Sequence, residues 1–336
     1  MDDEINVLVQ TRTWEFADLP IGKYTVGCKW VYKTKHKVDG SIERFKARLA
    51  AKGFIQQEGI DFRETCSPVA KITTVRLLLA IATTKNWLLE QLGVNNAFLH
   101  EYLNEEVYIE VPKGVDPPKP GQVCKLRKSF YGLRQASRQW YEKLSTVLTS
   151  SSYTQSQSDF SLSTKQSVTG AFTTILIYVD DMILTRNDSQ EIALVKSQLY
   201  HLFKIKDLGQ LKFFLGLEVA RSRKGIFLNQ RKYTLELLDA TGLLGCKPSN
   251  ISMDPQIKLH FKESTLLEDI SMYRRLIGQL IYLTNTRPDI YFVVNHLSQF
   301  LSAPTIAHYQ AAPRVLSYLK TNPGWNSSFL VILLYN

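Results

Sequence analysis

Apolar and polar residues alternate along two stretches near the start of the chain, residues 27–34 and 42–50. A period of two residues is typical of a β-strand with one buried face. The turn-forming sequence Val38-Asp39-Gly40-Ser41 lies between the two stretches. Because Asp-Gly between alternating runs is a strong hairpin signal, the pattern predicts a β-hairpin here.

Further along, apolar residues at helical spacing alternate with short strand-like runs. The predicted helices cover residues 73–87, 134–148, 189–203, 271–285, 288–301 and 306–320. The predicted strands cover residues 87–94 and 107–111, and a second hairpin is predicted from residues 213–220 and 225–229. Pro313 falls inside the last helical pattern, where we expect it to kink or interrupt the helix. This order predicts an α+β fold, in which helices pack on one face of a sheet.

Two adjacent acids, Asp180 and Asp181, lie between the apolar runs 174–177 and 182–184. Side chains alternate along a strand, so these acids are predicted at the tip of a buried hairpin. Carboxylates in such a place are costly unless a cation is present, and they therefore indicate a metal site. The alternative is an ordinary hairpin turn, because Asp is a favoured turn residue.

The composition narrows the class of protein. With 336 residues, 44% of them hydrophobic, the chain has ample material for a core, and disorder is not expected. The formal charge of +10 indicates an anionic partner. The basic residues form two clusters: Lys23, Lys29, Lys33, Lys35, Lys37, Arg44, Lys46, Arg48 and Lys52 in the first, and Lys119, Lys125, Arg127, Lys128, Arg134, Arg138 and Lys143 in the second. Aromatic residues within the second cluster favour a nucleic-acid groove, with a solvated basic face as the alternative.

Other features argue against several locations and cofactors. Cys28, Cys66, Cys124 and Cys246 show neither a disulfide framework nor zinc-ligand spacing. The acidic start of the chain does not resemble a secretory signal, and the apolar run 329–335 is too short for a membrane span. We expect a soluble intracellular protein that is not secreted and has no membrane partner. The sequence does not distinguish between the cytoplasm and the nucleus as its compartment.

Several segments together resemble the reverse transcriptase of Ty1/copia-type retrotransposons, a Pol polyprotein fragment most similar to copies from plants. The resemblance covers about residues 1–320. The segments that carry it, in the order of the family, are Cys28–Lys33, Asp39-Gly40, Arg44–Leu49, Ala51–Phe54, Glu64-Thr65, Ser67–Ala70, Val94–Leu99, Tyr131–Ala136, Tyr178–Asp181 and Phe214–Gly216.

The resemblance implies an RNA-directed DNA polymerase with palm, fingers and thumb, built on an antiparallel palm sheet. Residues 1–245 would form fingers and palm, and residues 246–336 a helical thumb-like or connection-like region that stops before any ribonuclease H domain. The implied partners are an RNA or DNA template with its primer and deoxynucleoside triphosphates. The implied cofactor is Mg²⁺ or Mn²⁺, used in two-metal nucleotidyl transfer.

The resemblance also implies roles for single residues. Asp180 would bind the metal directly, and Asp181, the second catalytic and metal-site carboxylate, would support it or the primer end. Phe98 matches the position that screens the sugar of the nucleotide, with core packing as its alternative. The remaining implied contacts are Lys46, Arg48 and Lys52 with the triphosphate, Gln135 near the nucleotide and template, and the turn Phe214-Leu215-Gly216 with the primer.

One departure from the family changes the expectation of activity. Gly93 stands where the family has its first metal-binding aspartate. Glu90 lies at an odd offset, on the opposite face of the predicted strand, and Asn95 is neutral, so neither is a convincing substitute. We therefore expect this copy to be inactive or impaired. The alternative is a non-catalytic nucleic-acid-binding remnant of a retrotransposon.

Overall fold

The chain divides into two compact units. The computed structural model describes residues 1–36, 41–168, 170–186, 189–254, 259, 265–325 and 327–330. Unit 1 comprises Met1–Leu78 with Trp87–Gln210, and unit 2 comprises Leu79–Asn86 with Leu211–Asn336. The predicted Asp39-Gly40 turn lies outside the described residues. The division of function at residue 245 stays a prediction.

The helices and strands alternate in a mixed α+β order. The helices are α1 Asp2–Gln10, α2 Ile72–Thr84, α3 Ala136–Ser150, α4 Ser189–Phe203, α5 Arg231–Ala240, α6 Ile270–Leu283, α7 Tyr291–Ser298 and α8 Ile306–Thr321. The first eight strands are β1 Trp14–Ala17, β2 Thr25–Val26, β3 Cys28–His36, β4 Ile42–Ala51, β5 Leu88–Val94, β6 Tyr108–Ile109, β7 Val123–Leu126 and β8 Thr154–Gln155. The other strands are β9 Leu162–Gln166, β10 Phe172–Tyr178, β11 Asp181–Arg186, β12 Ile205–Gln210, β13 Phe213–Phe214, β14 Leu217–Ser222, β15 Gly225–Asn229 and β16 Ser327–Leu330.

The centre of unit 1 is a six-stranded antiparallel sheet with the order β12-β5-β11-β10-β9-β8. Alternate residues of β5, β10 and β11, such as Leu92, Ile175 and Met182, form one apolar cluster with α3 and α4. The prediction of helices packed on one face of a sheet is therefore confirmed. Tyr178 and Asp181 alternate with the residues of this cluster, so they belong to the other face of the sheet.

Unit 1 also contains the predicted N-terminal hairpin and a small sheet. Strands β3 and β4 pair in an antiparallel register from Cys28↔Ala51 onwards, which confirms the hairpin. A four-stranded sheet, β1-β7-β6-β2, shares an apolar cluster with residues of β4, such as Leu49.

Unit 2 combines a four-stranded antiparallel sheet, β13-β14-β15-β16, with helices α5 to α8. Its core is formed mostly by α6, α7 and α8, and includes Tyr273, Leu280 and Leu316. Helix α8 continues through Pro313, so the proline does not interrupt it, and a kink there stays a prediction. The helix is held by a capping box at Thr305 and by buried residues on both sides of the proline.

Two other boundaries differ from the predictions for a local reason. Helix α2 ends at Thr84 because Asn86 adopts a left-handed conformation with φ of 51°. The predicted strand 213–220 is split at Leu215 and Gly216, which have φ of 52° and 72°. Among the described residues, no helix is both long and apolar enough to span a bilayer.

Candidate functional site

The two acids lie at a tight hairpin tip. Tyr178 pairs with Asp181, so Val179 and Asp180 form a two-residue turn between β10 and β11. Val179 has φ of 53°, which is a strained value for a β-branched residue. Trp140 Nε1 donates a hydrogen bond of 2.7 Å to the carbonyl oxygen of Val179. The backbone N–H of Val94 donates a hydrogen bond of 2.8 Å to the carbonyl oxygen of Asp180. The surrounding fold therefore holds the strained turn in place.

The two carboxylates have different surroundings. Asp180 is exposed, whereas Asp181 is half-buried. Burial raises the pKa of Asp181, the negative charge of Asp180 raises it further, and a hydrogen bond from Gln91 opposes both. A cation beside this pair would relieve the repulsion and favour the charged form of Asp181.

Gly93 is the direct neighbour of Asp181. In the register of β5 and β11, Gly93 is opposite Asp181. A Cβ atom at residue 93 would lie 3.8 Å from Asp181 Oδ1 and 3.6 Å from Leu208 Cδ1, which are ordinary contact distances. The backbone thus has room for a side chain at this position. In the described part of the chain, no three His, Cys, Asp or Glu side chains are grouped to hold a metal ion.

Glu90 does not replace the missing carboxylate. Glu90 is opposite Leu184, whose side chain belongs to the apolar cluster under α3 and α4. Its carboxylate pairs with Lys196 of α4, which also contacts Asp207 at 2.7 Å. The odd offset from residue 93 therefore places Glu90 on the helix-covered face, as predicted from the sequence.

The β3–β4 hairpin has one basic face. Directly opposed residues of an antiparallel pair project to the same side, and Lys33 is opposite Lys46 while Val31 is opposite Arg48. The alternate positions of both strands place these cations on a single face: Lys29, Lys33, Arg44, Lys46 and Arg48. The other face is apolar and includes Trp30 and Leu49, which pack into the core of unit 1.

The three predicted triphosphate ligands have distinct environments. Lys46 is exposed. The guanidinium of Arg48 lies 3.8 Å from the centre of the Tyr131 ring. Lys52 lies against Gly27, close to the carboxylate of Glu110. Contact of these residues with a triphosphate stays a prediction.

Phe98 and Tyr131 connect the basic face to the acids. Their rings meet edge to face, with centroids 4.8 Å apart. Burial raises the pKa of Tyr131 to about 12, with the charge of Arg48 acting to lower it and that of Asp180 to raise it. The structure thus brings Arg48, Phe98, Tyr131 and Asp180 into one neighbourhood. Phe98 also packs against two apolar clusters, so its core role is established and its role at the sugar stays a prediction.

Gln135 has a buried side chain that bonds within the protein. Its Nε2 donates to the Asp61 carbonyl oxygen at 3.0 Å, and its Oε1 accepts from Gln56 Nε2 at 3.1 Å. Gln56 in turn accepts from the backbone N–H of Arg134 at 2.9 Å. These bonds link the segment after β4 to the start of α3. Any effect of Gln135 on a nucleotide would therefore act through its neighbours.

The second basic cluster lacks most of the predicted aromatic platform. Phe130, Trp140 and Tyr141 are buried in the core and offer no stacking platform. Most of the cations are neutralised by acids: Lys125 by Glu106, Arg127 by Glu15, Arg138 by Glu64 and Glu142, and Lys143 by Glu101. These three rings therefore do not form the predicted platform, and some of the acidic partners, such as Glu64 for Arg138, are distant along the chain. Contact of this cluster with nucleic acid stays a prediction.

The Phe214-Leu215-Gly216 segment forms a turn between β13 and β14. A Cβ atom at residue 216 would lie 2.6 Å from Tyr282 Oη, and Tyr282 donates a hydrogen bond to the Leu215 carbonyl oxygen. The φ of 72° favours glycine at this position, and a Cβ atom would also force the Tyr282 hydroxyl to move. Contact with a primer stays a prediction.

The sequence reasoning missed two supporting residues, Trp140 and Gln91. Trp140 was assigned to the basic cluster, although its indole braces the Val179 turn. Gln91 is two residues before Gly93 on the same strand, so strand alternation places it beside Asp181. That alternation was the available signal for Gln91, whereas no local pattern identifies Trp140.

An antiparallel sheet with paired aspartates at a hairpin tip and a basic hairpin defines a class of nucleic-acid polymerases. Residues 11–255 match the reverse transcriptase (RNA-dependent DNA polymerase) family, and the chain belongs to it. More particularly, it is a Ty1/copia-type sequence of plant-like character. It is 42% identical, over 96% of its length, to the retrovirus-related Pol polyprotein from transposon RE1 of Arabidopsis thaliana. It is also 38% identical, over 96% of its length, to the retrovirus-related Pol polyprotein from transposon TNT 1-94 of Nicotiana tabacum.

These matches confirm the resemblance stated from the motifs. The chain spans 22% and 25% of the lengths of the two plant relatives. A solved foamy viral protease-reverse transcriptase in complex with double-stranded DNA is 11% identical, with a TM-score of 0.46 over 94% of this chain and 47% of that chain. A likeness at that level adds nothing to the family assignment.

Proposed function

We propose that this chain is the polymerase domain of a Ty1/copia-type retrotransposon, extending a primer on an RNA or DNA template with deoxynucleoside triphosphates. The six-stranded sheet of unit 1 would be the palm, the β3–β4 hairpin part of the fingers, and residues 246–336 a helical thumb-like region. The observation that carries the proposal is the Asp180–Asp181 pair on a strained hairpin tip that Trp140 and Val94 hold in place.

The paired carboxylates fit a divalent cation. Mg²⁺ prefers carboxylate, phosphate and water oxygens, and the raised pKa of Asp181, caused by burial and by Asp180, indicates a place where a cation would be stabilising. Asp180, being exposed, would bind the ion directly, and Asp181 would support it. Mg²⁺ or Mn²⁺ ions held in this way stabilise the attacking and leaving oxygens in phosphoryl transfer.

The other residues would bind and orient the nucleotide. Cations suit phosphate oxygens, so Lys46, Arg48 and Lys52 would bind the triphosphate. The ring of Phe98 would exclude a 2′-hydroxyl and thereby select deoxynucleotides. Gln135 would position this region through Gln56 and Asp61 rather than by direct contact.

We further propose that this copy is impaired. Glycine at position 93 supplies no carboxylate opposite Asp181, and Glu90 is paired with Lys196 on the other face of the sheet. Loss of a group that only supports a metal ligand typically costs about 10- to 100-fold. Loss of a carboxylate that would itself bind a metal ion should cost more.

Primer extension with Mg²⁺ or Mn²⁺ tests both parts of the proposal. We expect Gly93→Asp to raise the rate by at least about 100-fold, since the backbone at Gly93 has space for the side chain. Gly93→Asn is the matched control, because it adds the same bulk without charge and should leave the rate near that of the parent. Equal turnover by the parent and Gly93→Asp would disprove the impairment. Absence of extension by Gly93→Asp, with primer-template still bound, would disprove the polymerase assignment.

A second candidate function is a non-catalytic nucleic-acid-binding remnant. The basic face of the β3–β4 hairpin favours it, because Lys33 and Lys46 are exposed and opposite each other. This function requires salt-dependent binding but no carboxylate at residue 93. Absence of binding to a primer-template at low salt would remove it.

A further inference from the structure

A cavity of about 330 Å³ lies within unit 2, and none of the residues discussed under the proposed function lines it. Its polar lining comes from the end of α2 and from the β14–β15 hairpin. The polar residues that line it are Thr83, Thr84, Asn86, Arg221, Ser222 and Arg223. Small-molecule sites span roughly 300 to 1,000 Å³, so this volume suits a compact ligand.

The end of α2 fixes one side of the cavity. Asn86 follows the helix in a left-handed conformation with φ of 51°, which asparagine tolerates better than most residues. Its side-chain Oδ1 accepts a hydrogen bond of 2.7 Å from Arg221 Nη2. The guanidinium of Arg221 is thereby oriented by a neutral partner at the cavity wall.

The tip of the β14–β15 hairpin forms the other side. Ser222 pairs with Gly225, so Arg223 and Lys224 form a two-residue turn. The backbone N–H of Lys224 donates to Ser222 Oγ at 3.1 Å, which stabilises the turn. Arg223 is exposed and lines the cavity with Arg221. The hairpin thus presents two guanidinium groups to one small space.

The charge of the lining separates this cavity from two others in the described chain. None of its described lining residues is acidic. A cavity beside Trp14 and Tyr102 is lined by Glu15, Glu105 and Glu106 together with its cations. A cavity beside α1 is lined by the acids Asp3 and Glu4 as well as by Arg44 and Lys46.

We propose that the cavity lined by Arg221 and Arg223 binds a phosphate group. The planar fork of arginine matches phosphate oxygens in a bidentate manner, and hydroxyl and amide groups supply further polar contacts. The phosphate belongs either to a nucleic-acid backbone or to a free polyphosphate. This site does not depend on the polymerase reaction, so it stands or falls separately from the proposed function.

The test compares Arg223→Ala with Arg275→Ala in the full chain. Arg223 lies in an exposed turn, and Arg275 is an exposed arginine of α6 that does not line the cavity. The probes are a short labelled DNA duplex, followed by fluorescence anisotropy across a salt series, and inorganic pyrophosphate, followed by calorimetry. We expect Arg223→Ala to weaken the binding of one of these two probes, the one that the site binds, about fivefold at low salt. If that probe is the duplex, the slope of log affinity against log salt should decrease by about 1.

Each outcome decides the proposal. Weaker duplex binding by Arg223→Ala, with Arg275→Ala unchanged, assigns the site to a nucleic-acid backbone. Weaker binding of pyrophosphate alone assigns it to a free polyphosphate. Unchanged binding of both probes, or an equal loss in Arg275→Ala, overturns the site.

Discussion

Val179 and Asp181 are each held in an intrinsically unfavourable state. A β-branched residue with φ of 53° costs of order 1 to 3 kcal/mol. At Asp181 the cost is electrostatic, because burial and the nearby charge of Asp180 raise the pKa of its carboxyl. Unfavourable backbone and unfavourable charge at one turn are typical of a site arranged for a ligand rather than for stability.

The electrostatic cost predicts an unusual response to mutation. Without divalent ions, Asp181→Asn should raise the melting temperature by a few degrees, since it removes the repulsion and can keep the bond with Gln91. The destabilisation by the charged carboxyl appears as pH rises through its raised pKa, so the gain should be present at neutral pH and vanish in acid. Millimolar Mg²⁺ should then raise the melting temperature of the parent more than that of Asp181→Asn, which keeps only the Asp180 carboxylate.

Asp207→Asn provides the control for this substitution. Burial acts to raise the pKa of Asp207, but the hydrogen bonds from Lys196 and from the Gly209 N–H outweigh it, and the pKa is lowered. The same change should therefore lower the melting temperature here. Thermal unfolding followed by circular dichroism measures both variants. Equal stabilisation of the parent and of Asp181→Asn by Mg²⁺ would contradict a role for Asp181 in metal binding.

At the scale of elements, helix α8 begins with an uncommon cap. The backbone N–H of Thr305 donates to His308 Nδ1 at 2.9 Å, and the Thr305 hydroxyl accepts from the His308 N–H. The imidazole is buried and stacks on Phe300, with ring centroids 3.8 Å apart. Only a neutral ring with an unprotonated Nδ1 can accept this bond.

This cap predicts a pH-dependent stability. Burial, and to a lesser degree the charge of His296, lowers the pKa of His308 below its usual 6.5. The folded state therefore binds fewer protons, and stability should be full above about pH 6.5 and be lost as the pH falls towards the lowered pKa. His308→Gln keeps an acceptor for the capping box and should flatten this fall in melting temperature by a few degrees.

His201→Gln is the matched control, because His201 is exposed on α4 and takes no part in a cap. Melting temperatures measured between about pH 5 and pH 8 distinguish the variants. A fall of the same size in His308→Gln and the parent would show that the cap does not titrate.

The elements that periodicity predicted well are those with a single buried face. Helix α4 has the predicted bounds, and the β3–β4 hairpin follows its alternation. The second predicted hairpin is also present, but its first strand is split because Leu215 and Gly216 turn against Tyr282, which is distant in sequence. Helix α8 includes Pro313 because its packing and its capping box outweigh the low helix propensity of proline. In the site, Asp181 and Gly93 followed from motifs and strand offset, but Trp140 required the folded chain.

At the scale of the whole molecule, the basic residues that give the net charge of +10 have different surroundings. Cations of the second basic cluster pair with acids such as Glu101 and Glu106. The β3–β4 hairpin places Lys33 and Lys46 opposite each other, so that two like charges share one exposed face. Like charges directly opposite are destabilising in a sheet, so this arrangement favours an anionic partner.

This contrast predicts which lysines govern nucleic-acid binding. The double variant Lys33→Ala with Lys46→Ala should weaken binding to a primer-template about tenfold or more at low salt and lower the salt slope by about 2. The matched double variant, Lys125→Ala with Lys143→Ala, removes the same charge from paired positions and should have a smaller effect. Electrophoretic mobility shifts across a salt series measure both. Equal losses would show that only the total charge matters.

The register of β5 with β11 also bears on how this copy could change. Gly93 is opposite Asp181, and a Cβ atom there would meet only ordinary contacts. A change of G to A at the second base turns every glycine codon into an aspartate or a glutamate codon, so one nucleotide change could restore a carboxylate at this position. A single base change could therefore reverse the loss proposed at residue 93, because the strands around this position still have the register that would place the new carboxylate beside Asp181.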